Sequence, residues 1–327
     1  MANKTVSDEE FIELWRTLKS AAAISHKLGL NERAIHSRRR RIETKYAIKL
    51  EAKDPRAERW THLQTAYEHA ARHFLGIENG TVLVFSDAHF WPTIRTTAFK
   101  GLLWAIKELK PKSVINGGDA FDGASISRFP RVGWDSKPSV IQELKACDMY
   151  LGEIEDEAKK AYSKTKLVWT LGNHDARFEN RLANTVPEFM AVGGFKLKDH
   201  FPAWIPCWSC WPTENVVVKH RMKGGIHATH NNTVNAGKTI VTGHLHSLKV
   251  TPFSDYNGER FGVDTGTLAE PSGPQFVDYL EDNPTNWRSG FAVLTFYNGR
   301  LLWPELVHAI APDAIQFRGQ VVDVSKL

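Results

Sequence analysis

The sequence predicts an α/β (α+β) domain built in layers, preceded by a small all-helical segment at the N-terminus. From Thr81 onward, short apolar runs alternate with amphipathic helix patterns, as expected where helices cover a sheet. The first 50 residues instead carry three helical patterns separated by capping and turn residues. We therefore expect a helical domain over residues 1–50, a helical linker over 51–80 and a larger α/β domain over 81–327.

Length and composition suit a protein of the cytoplasm with no membrane partner. The chain has 327 residues and contains no apolar run long enough to span a membrane. Its polar N-terminus lacks the hydrophobic core of a signal peptide, so we expect the protein to stay in the cytoplasm, where it is made. Cys207 and Cys210 form a C-x-x-C without a second pair to complete a zinc ribbon, and ordinary buried thiols are the favoured interpretation.

The positive charge of the chain is concentrated near the N-terminus. Residues 1–80 hold 15 Lys and Arg against 11 Asp and Glu, so most of the net charge of +5 lies there. The densest run is Arg38–Arg41. Such a run is typical either of a solvated helix face or of a surface that contacts phosphate groups.

The first two helices of the N-terminal segment are marked by their caps. Asp8–Lys19 predicts a helix with Ser7 and Glu10 placed as a capping box. A second, short helix over Ser20–Leu28 is rich in alanine. It is expected to end at the turn Gly29-Leu30-Asn31, because Gly is a common C-terminal stop and Asn a common cap of the next helix.

A third helix, Glu32–Tyr46, is expected to turn Ala34, Ile35 and Ile42 inward. With the second helix it resembles the helix-turn-helix of bacterial and phage DNA-binding proteins, in which Ser25, Gly29 and Ile35 have the spacing of two closely crossing helices. The resemblance implies contact with DNA or RNA through the outward basic residues of the third helix. These are Arg33, His36, Arg38, Arg39, Arg40 and Arg41. A helical dimerisation or docking module, which would make the protein an oligomer, has a similar pattern and is the alternative.

Five apolar runs in the α/β part of the chain each end in residues that can bind a metal. The runs are Thr81–Ser86, Lys112–Asn116, Lys166–Leu171, Asn215–Lys219 and Thr239–Val241. The polar residues that follow them are, in order, Asp87 and His89, then Asp119 and Asp122, then Asn173, His174 and Asp175, then His220, and finally His244 and His246. Helix patterns separate the first three runs at Arg95–Leu109 and Ser139–Tyr162. Further strands are predicted at Glu259–Leu268, Phe291–Tyr297 and Arg300–His308.

One such residue at a strand end has a structural explanation, as a helix cap or as a turn former. Five consecutive strand ends are hard to explain in that way, because the carboxyl ends of strands in an open α/β sheet meet at one crevice. Carboxylates, imidazoles and an Asn amide oxygen, with no thiolate among them, suit manganese, iron, zinc or magnesium. The sequence therefore predicts a metal site assembled from most of the domain.

The same motifs resemble the signature of the calcineurin-like metallophosphoesterases. That signature is carried here, between Thr81 and Thr267, by DAH at Asp87, GDAFD at Asp119, GNHD at Asn173, VVVKH at His220 and GHLH at His244. The resemblance implies a four-layer αββα sandwich with two divalent metal ions at its edge. Manganese is the expected metal, and iron, zinc, magnesium and nickel are the alternatives.

The resemblance also implies a role for each residue of these motifs. One metal ion would be held by Asp87, His89 and His246 and the other by Asn173, His220 and His244, with Asp119 as the bridge between them. His174 would protonate the leaving group, and Asp175 would orient it. The family often has His-Gly in the fourth motif, whereas Arg221 follows His220 here, so His227 and His230 are alternatives for that ligand. His220 is preferred because it ends a β-branched run.

The activity implied by this resemblance is hydrolysis of phosphate esters by a metal-bridging water or hydroxide. Joined to the basic helical segment, it favours a phosphodiesterase or nuclease acting on nucleic acid. The alternatives are a phosphomonoesterase or cyclic-nucleotide phosphodiesterase, and a DNA-binding protein with a non-catalytic metal site. Candidate substrate contacts near the motifs are Arg128, Arg177 and Trp91, and other tryptophans in loop-like stretches are Trp134, Trp204, Trp208 and Trp211.

Overall fold

The computed structural model describes residues 6–52, 70–128, 137–190, 192–280 and 283–327. Internal contacts group the chain into two units, one ending at Glu68 and the other beginning at His69. The first unit is helical where it is described, and the second carries the sheet. No helix within these described ranges is long and apolar enough to cross a membrane.

The N-terminal unit contains three helices, as its capping residues predict. They are α1 (Asp8–Leu18), α2 (Ala21–Leu28) and α3 (Glu32–Tyr46). Ser7 caps α1 in a capping box with Glu10, and Gly29 ends α2 in the left-handed conformation with φ of 69°. The three helices share a small core formed by Phe11, Trp15, Ile24, Leu28, Ile35, Ile42 and Leu50.

Two basic residues of α3 do not point outward, which corrects the prediction from sequence. The side chain of Arg38 lies 3.3 Å from Asp8 Oδ1, and its guanidinium group covers an aromatic ring of α1 at 4.9 Å. Arg39 Nε donates to Glu43 Oε1 at 3.0 Å, and its guanidinium group covers a second ring of α1 at 4.8 Å. Both arginines therefore stabilise the packing of α3 on α1.

The outward face of α3 is correspondingly smaller than predicted. Its exposed basic residues are Arg33, His36, Arg40 and Arg41. Ala34, which was expected to face the core, is exposed, whereas Ile35 and Ile42 are fully buried as predicted.

The second unit alternates strands and helices in its first half and is rich in antiparallel strands in its last part. Its strands are β1 (Ala70–Phe74), β2 (Gly80–Phe85), β3 (Ser113–Asn116), β4 (Lys166–Thr170), β5 (Ile205–Thr213), β6 (Val216–Val218), β7 (Thr239–Thr242), β8 (Lys249–Asp255), β9 (Gly258–Asp264), β10 (Gly290–Tyr297), β11 (Arg300–Leu301), β12 (Glu305–Ala311), β13 (Ala314–Phe317) and β14 (Gln320–Asp323). Its α-helices are α4 (Thr97–Leu109), α5 (Val140–Ala161), α6 (Asp175–Thr185), α7 (Leu197–His200), α8 (Ala228–Ala236) and α9 (Val277–Leu280). Short 3₁₀ helices lie at Ala124–Ile126, Pro187–Phe189 and Pro274–Phe276.

The strands pair as one mixed sheet whose two halves face each other. In the first half, β2, β3 and β4 are parallel neighbours, with Val84 opposite Ile115 and Ile115 opposite Val168, and β10 is antiparallel to β2. Pairing then continues through β5 and β6 to β7, β9 and β8. The five predicted motifs begin at the carboxyl ends of β2, β3 and β4, which are parallel to one another, and of β6 and β7, which are parallel to each other.

Two cores on opposite faces of β2 define the layers. Val82 and Val84 belong to a core that also contains residues of β6, β7 and β9, so it lies between the two halves of the sheet. Leu83 and Phe85 point the other way, into a core shared with α4 and α5. On the other half, α8 packs against β7, β8 and β9. The predicted four-layer αββα sandwich is therefore confirmed.

Several elements differ from the predictions. The helical-linker prediction is wrong for Ala70–Phe74, which form β1 and pair in parallel with β5, whereas residues 53–69 lie outside the described part of the chain. The stretch containing Trp208 and Trp211 was predicted as loop and forms β5. The single strand predicted at Arg300–His308 is divided into β11 and β12. A strand is predicted from sequence by regular alternation of apolar and polar residues. Buried and exposed residues alternate only weakly along these strands, so that signal is weak in them.

Candidate metal centre

The loops that follow five strands, three from one half of the sheet and two from the other, bring the predicted residues to one place. Asp87 and His89 follow β2, Asp119 and Asp122 follow β3, Asn173 and His174 follow β4, His220 follows β6, and His244 and His246 follow β7. Most of them are inaccessible to solvent: Asp87 is 0% exposed and Asp119 is 1% exposed. Such burial of charged side chains is costly unless the charges are paired or bind a metal.

The backbone at these loops is held in an uncommon conformation. Asp87, His89, Asp119, His244 and His246 all have left-handed φ angles, between 39° and 72°. Residues other than glycine rarely adopt this region, and each instance costs of order 1–3 kcal/mol unless the surroundings impose it. The surrounding structure therefore forces these five side chains toward a common centre.

Two glycines allow the loops to approach closely. A Cβ atom on Gly172 would overlap the carboxylate of Asp119, and one on Gly243 would overlap the side chains of Ser86 and Asp87. The glycines in GNHD and GHLH are thus required by the space that the carboxylates occupy.

The first group of donors is formed by Asp87, His89 and His246, whose ligating atoms all lie within 4.8 Å of one another. The Oδ2 atom of Asp87 is fixed by the Ser86 hydroxyl and by the His244 backbone N–H at 2.8 Å. Asp87 Oδ1 is buried and has no hydrogen-bond partner among the described residues, although His246 Nε2 lies 3.1 Å away. An unpaired buried carboxylate oxygen beside two imidazoles is the environment that a divalent cation would complete.

The second group is formed by Asp119, His220 and His244, again within 4.8 Å of one another. His220 Nε2 lies 3.0 Å from Asp119 Oδ2 and 3.2 Å from the amide oxygen of Asn173. His220 Nδ1 lies 3.0 Å from the Gly117 carbonyl, an arrangement that fixes the ring and directs Nε2 to the site. The Asn173 oxygen therefore lies beside this group.

Of the three histidines that the sequence offered as the ligand of the fourth motif, His220 is the one that lies in the site. It is 2% exposed and joins the second group, whereas His227 and His230 are exposed and join no donor group in the described chain. His230 instead packs edge-on against Phe253.

Asp119 lies between the two groups. A third set of donors within 4.8 Å consists of His89, Asp119 and His174, so Asp119 is near ligands of both groups. Its Oδ1 atom also accepts the His174 backbone N–H at 2.7 Å. This is the place that a bridging carboxylate needs.

The charges within the site are strongly coupled. Burial opposes ionisation of Asp87, but the charge and hydrogen bond of His246 and the charge of His220 together outweigh it and lower the pKa of this carboxyl to about 2. Burial likewise opposes ionisation of Asp119, but charge on His220 holds its pKa well below the usual range. The pKa of His220 is raised to about 9, since Asp119 outweighs the burial that lowers it. The carboxylates are therefore ionised at neutral pH, as metal binding requires.

His174 is oriented by Asp122 and not by Asp175, which corrects the prediction. Asp122 Oδ1 lies 2.7 Å from His174 Nδ1 and 2.8 Å from His89 Nδ1. Asp175, at the start of α6, instead accepts N–H groups from Trp169, Gly172, Asp119 and Phe121 at 2.8–3.1 Å. Asp175 therefore shapes the loop of Asp119, and Asp122 links a metal-site histidine to His174.

The predicted substrate contacts are at different distances from this centre. Arg177 is close: Nη2 lies 3.0 Å from His174 Nε2 and Nη1 donates to the Asp122 carbonyl at 2.9 Å. Trp91 is partly buried and lines a small cavity together with His89. Arg128 is exposed and directly precedes residues 129–136, which lie outside the described chain and include Trp134. Trp204 is not in an open loop but belongs to the core on the helical side.

Sequence reasoning missed an aromatic pair beside the first group. The ring of Trp287 lies 4.5 Å from that of His246, and the ring of Phe276 lies 5.0 Å from that of His89. Neither residue belongs to a motif. Asp122, by contrast, could have been assigned to His174 from its place in GDAFD, three residues after Asp119.

The chain matches one family profile and is similar to several known proteins. A sequence profile described as calcineurin-like phosphoesterase matches residues 80–287. The chain is similar to the Gene 54 protein of Mycobacterium phage L5, with 24% identity over 249 residues that cover 69% of this chain and 92% of that protein. Among solved structures it is similar to Vps29 of Chaetomium thermophilum, with a TM-score of 0.39 and 11% identity over 74% of this chain and 97% of that one. It is also similar to the nuclease MPE of Pseudomonas putida, with a TM-score of 0.29 and 15% identity over 68% of this chain and 86% of that one.

Proposed function

The chain belongs to the calcineurin-like phosphoesterase family and is a metal-dependent phosphoester hydrolase, and on that premise we propose that it is a phosphodiesterase or nuclease acting on nucleic acid. The observation that carries the proposal is the combination of two donor groups, with Asp119 near ligands of both, and a separate helical unit that presents basic side chains on α3. The first feature suits a phosphate ester, and the second suits a polymer of phosphates.

We propose that Asp87, His89 and His246 hold one divalent ion, that Asn173, His220 and His244 hold a second, and that Asp119 bridges them. Manganese is the proposed metal, because the donors are oxygens and imidazole nitrogens without a thiolate. Two such ions would supply Lewis acidity and an activated water for hydrolysis of the ester.

His174 is proposed as the proton donor to the leaving group. Its Nδ1 is held by Asp122 at 2.7 Å, and its Nε2, which lies beside the Arg177 guanidinium group, is proposed to exchange that contact for the leaving-group oxygen when a substrate binds. Burial lowers the pKa of His174, but the negative charge of Asp119 and the hydrogen bond and charge of Asp122 together outweigh it and raise the pKa above the usual value. The raised pKa favours the protonated imidazolium, which is the form that can give up a proton. Arg177, 3.0 Å from Nε2, is proposed to contact the phosphate group at the same position.

The N-terminal unit is proposed to bind the nucleic acid backbone through the exposed side chains of α3. The proposed contacts are Arg33, His36, Arg40 and Arg41. Arg38 and Arg39 are not among the proposed contacts, because their guanidinium groups contact α1 and carboxylates of the same unit.

A panel of phosphate esters tests this function. The purified full chain, with Mn²⁺ added, would be assayed on plasmid DNA, single-stranded RNA, bis(p-nitrophenyl) phosphate and p-nitrophenyl phosphate. We expect cleavage of the diesters and of nucleic acid. Strong turnover of the monoester alone would favour a phosphomonoesterase, and absence of both bound metal and hydrolysis would favour a DNA-binding protein.

Two variants and one control identify the residues that carry the reaction. Asp119→Asn should lose bound metal and activity together, whereas His174→Ala should keep its metal and lose activity. His227→Ala is the matched control, because His227 is exposed and outside the donor groups. Full activity of Asp119→Asn or His174→Ala would refute the assignment of the site.

A further inference from the structure

We infer that Trp287 is a specificity-determining residue that stacks on the base of the nucleotide bound at the His246 side of the metal centre. The inference rests on the proposed function, since it names the part of a nucleic acid substrate that the site recognises. It concerns a residue that lies in no motif and outside the helical unit.

The position of the indole ring is the first observation. The ring centroid of Trp287 lies 4.5 Å from that of His246 at an interplanar angle of 63°, and 5.0 Å from that of Phe276 at 70°. Phe276 in turn lies 5.4 Å from His246 and 5.0 Å from His89. The two aromatic side chains thus form a wall along one side of the first donor group.

The difference in exposure within this wall is the second observation. Phe276 is 2% exposed, whereas Trp287 is only partly buried and is flanked by the exposed residues Thr285, Asn286 and Arg288. Trp169 and Trp204 show what purely structural packing looks like in this unit, since each is 3% exposed. Trp287 is therefore the outer member of the wall, supported from behind by Phe276.

The backbone around Trp287 is held in place, which is the third observation. The Arg288 N–H donates to the His246 carbonyl at 2.7 Å, and the Gly290 N–H donates to the Thr267 carbonyl at 2.8 Å. The Ser289 hydroxyl donates to the Ala269 carbonyl at 3.0 Å. A fixed backbone presents the indole ring at little entropic cost when a ligand binds.

A flat aromatic ring that is fixed, partly exposed and adjacent to a phosphate-binding centre suits a planar ligand group. Nucleobases have such a π-face on every base, and stacking on an aromatic side chain contributes about 1–3 kcal/mol per base. The base attached to the bound phosphate is the planar group within reach. Stacking of this kind tolerates any sequence, so the site would select nucleotides over simple phosphate esters without selecting a base.

Binding measurements test the inference without relying on turnover. Isothermal titration calorimetry on the Mn²⁺-loaded full chain would compare deoxyadenosine 5′-monophosphate with 2-deoxyribose 5-phosphate, which lacks the base. In the unaltered protein we expect the nucleotide to bind about 5- to 150-fold more tightly, the ratio that corresponds to one stacked base. Trp287→Ala should bring this ratio close to one, and Trp287→Phe should retain most of it.

The controls separate stacking from a merely structural role. Trp303→Ala removes another exposed tryptophan, which packs on Phe261, and should leave the ratio unchanged. An unchanged ratio in Trp287→Ala would overturn the inference, as would an equal loss of affinity for both ligands accompanied by loss of metal. If the nucleotide binds more tightly than the sugar phosphate but the protein cleaves no nucleic acid, the proposed function is refuted and the role of Trp287 is supported. If nucleic acid is cleaved but the two ligands bind equally well, the proposed function is supported and the role of Trp287 is refuted.

Discussion

Asp122 and His174 are joined by a hydrogen bond of 2.7 Å between Oδ1 and Nδ1, and the same carboxylate oxygen lies 2.8 Å from His89 Nδ1. One buried carboxylate therefore orients both a proposed metal ligand and the proposed proton donor. A change at Asp122 should consequently affect metal binding and proton transfer together.

We predict that Asp122→Asn lowers kcat at saturating Mn²⁺ by about 10²–10⁴-fold, because His174 loses the partner that stabilises its protonated form. Mn²⁺ affinity should fall by about 10–100-fold, because His89 loses the carboxylate that orients it. Steady-state kinetics and metal titration would measure the two effects. Asp156→Asn, an exposed position on α5, is the control, and a kcat equal to that of the unaltered chain in Asp122→Asn would contradict the role of Asp122.

Gly172→Ala should abolish metal binding at the second donor group. The added Cβ would overlap the Asp119 carboxylate, and overpacking of a buried site typically costs about 1–3 kcal/mol of folding free energy. Metal analysis and urea unfolding would show both losses. Gly152→Ala is the matched control, because a Cβ there has open space on α5 and should stabilise the helix by about 0.5–1 kcal/mol. Equal metal content in the two variants would show that the close approach at Gly172 is not required.

Glu143 on α5 should make stability depend on pH. Its carboxylate accepts the N–H groups of Gly123 and Ala124 at 2.6 and 3.0 Å, and burial raises its pKa to about 8. Because the folded-state pKa lies above the ordinary value of 4.5, this stabilising contribution is complete below pH 4.5 and is lost as the pH rises toward 8.

The Glu143→Gln variant isolates that contribution. The difference in unfolding free energy between the unaltered chain and Glu143→Gln, measured by urea unfolding in EDTA, should be largest near pH 5 and should shrink toward pH 8. Glu108→Gln, at an exposed position on α4, serves as the control. A difference that grows with rising pH would show that Glu143 is ionised throughout the range.

The motif residues could be predicted from the sequence because of their positions at the ends of strands. Each follows a strand of one of two parallel sets, β2 to β4 in one half of the sheet and β6 with β7 in the other, and the carboxyl ends of both sets lie at the same edge of the sandwich. His89 and His246 therefore meet although 157 positions separate them. The same reasoning failed for Asp175, because adjacency to His174 in GNHD says nothing about where a side chain at the first position of a helix points. In the structure it points back to the N–H groups of the Asp119 loop.

Tertiary contacts account for the other differences. Periodicity along α3 cannot show that Arg38 meets Asp8, which lies 30 residues earlier, so an arginine that the helical pattern placed outward is held by α1. Trp287 carries no signal in the sequence either, since its proximity to His246 is created by the pairing of the chain around Thr267 and Ser289. The contacts of both residues can be identified only once the positions of the strands and helices are known.

The basic residues of α3 should divide into two classes by experiment. Arg38 Nη2 donates to the Val6 carbonyl at 2.6 Å in addition to its contact with Asp8, so Arg38→Ala leaves a backbone acceptor unpaired. We predict that it destabilises the N-terminal unit by about 1–3 kcal/mol. Arg40→Ala/Arg41→Ala removes exposed side chains and should change stability by less than about 0.5 kcal/mol.

Affinity for DNA should respond in the opposite order. The double variant Arg40→Ala/Arg41→Ala should bind a labelled duplex more weakly, and the slope of log affinity against log salt should fall by about 0.9 for each phosphate contact removed. Fluorescence anisotropy over a series of salt concentrations would measure the slope for the unaltered chain and for the double variant, with Lys110→Ala, a basic residue outside the helical unit, as control. An unchanged slope in the double variant would exclude these two residues as phosphate contacts. The helical unit would then have to serve assembly or binding of a protein, and neither role makes the salt dependence of DNA affinity depend on exposed arginines.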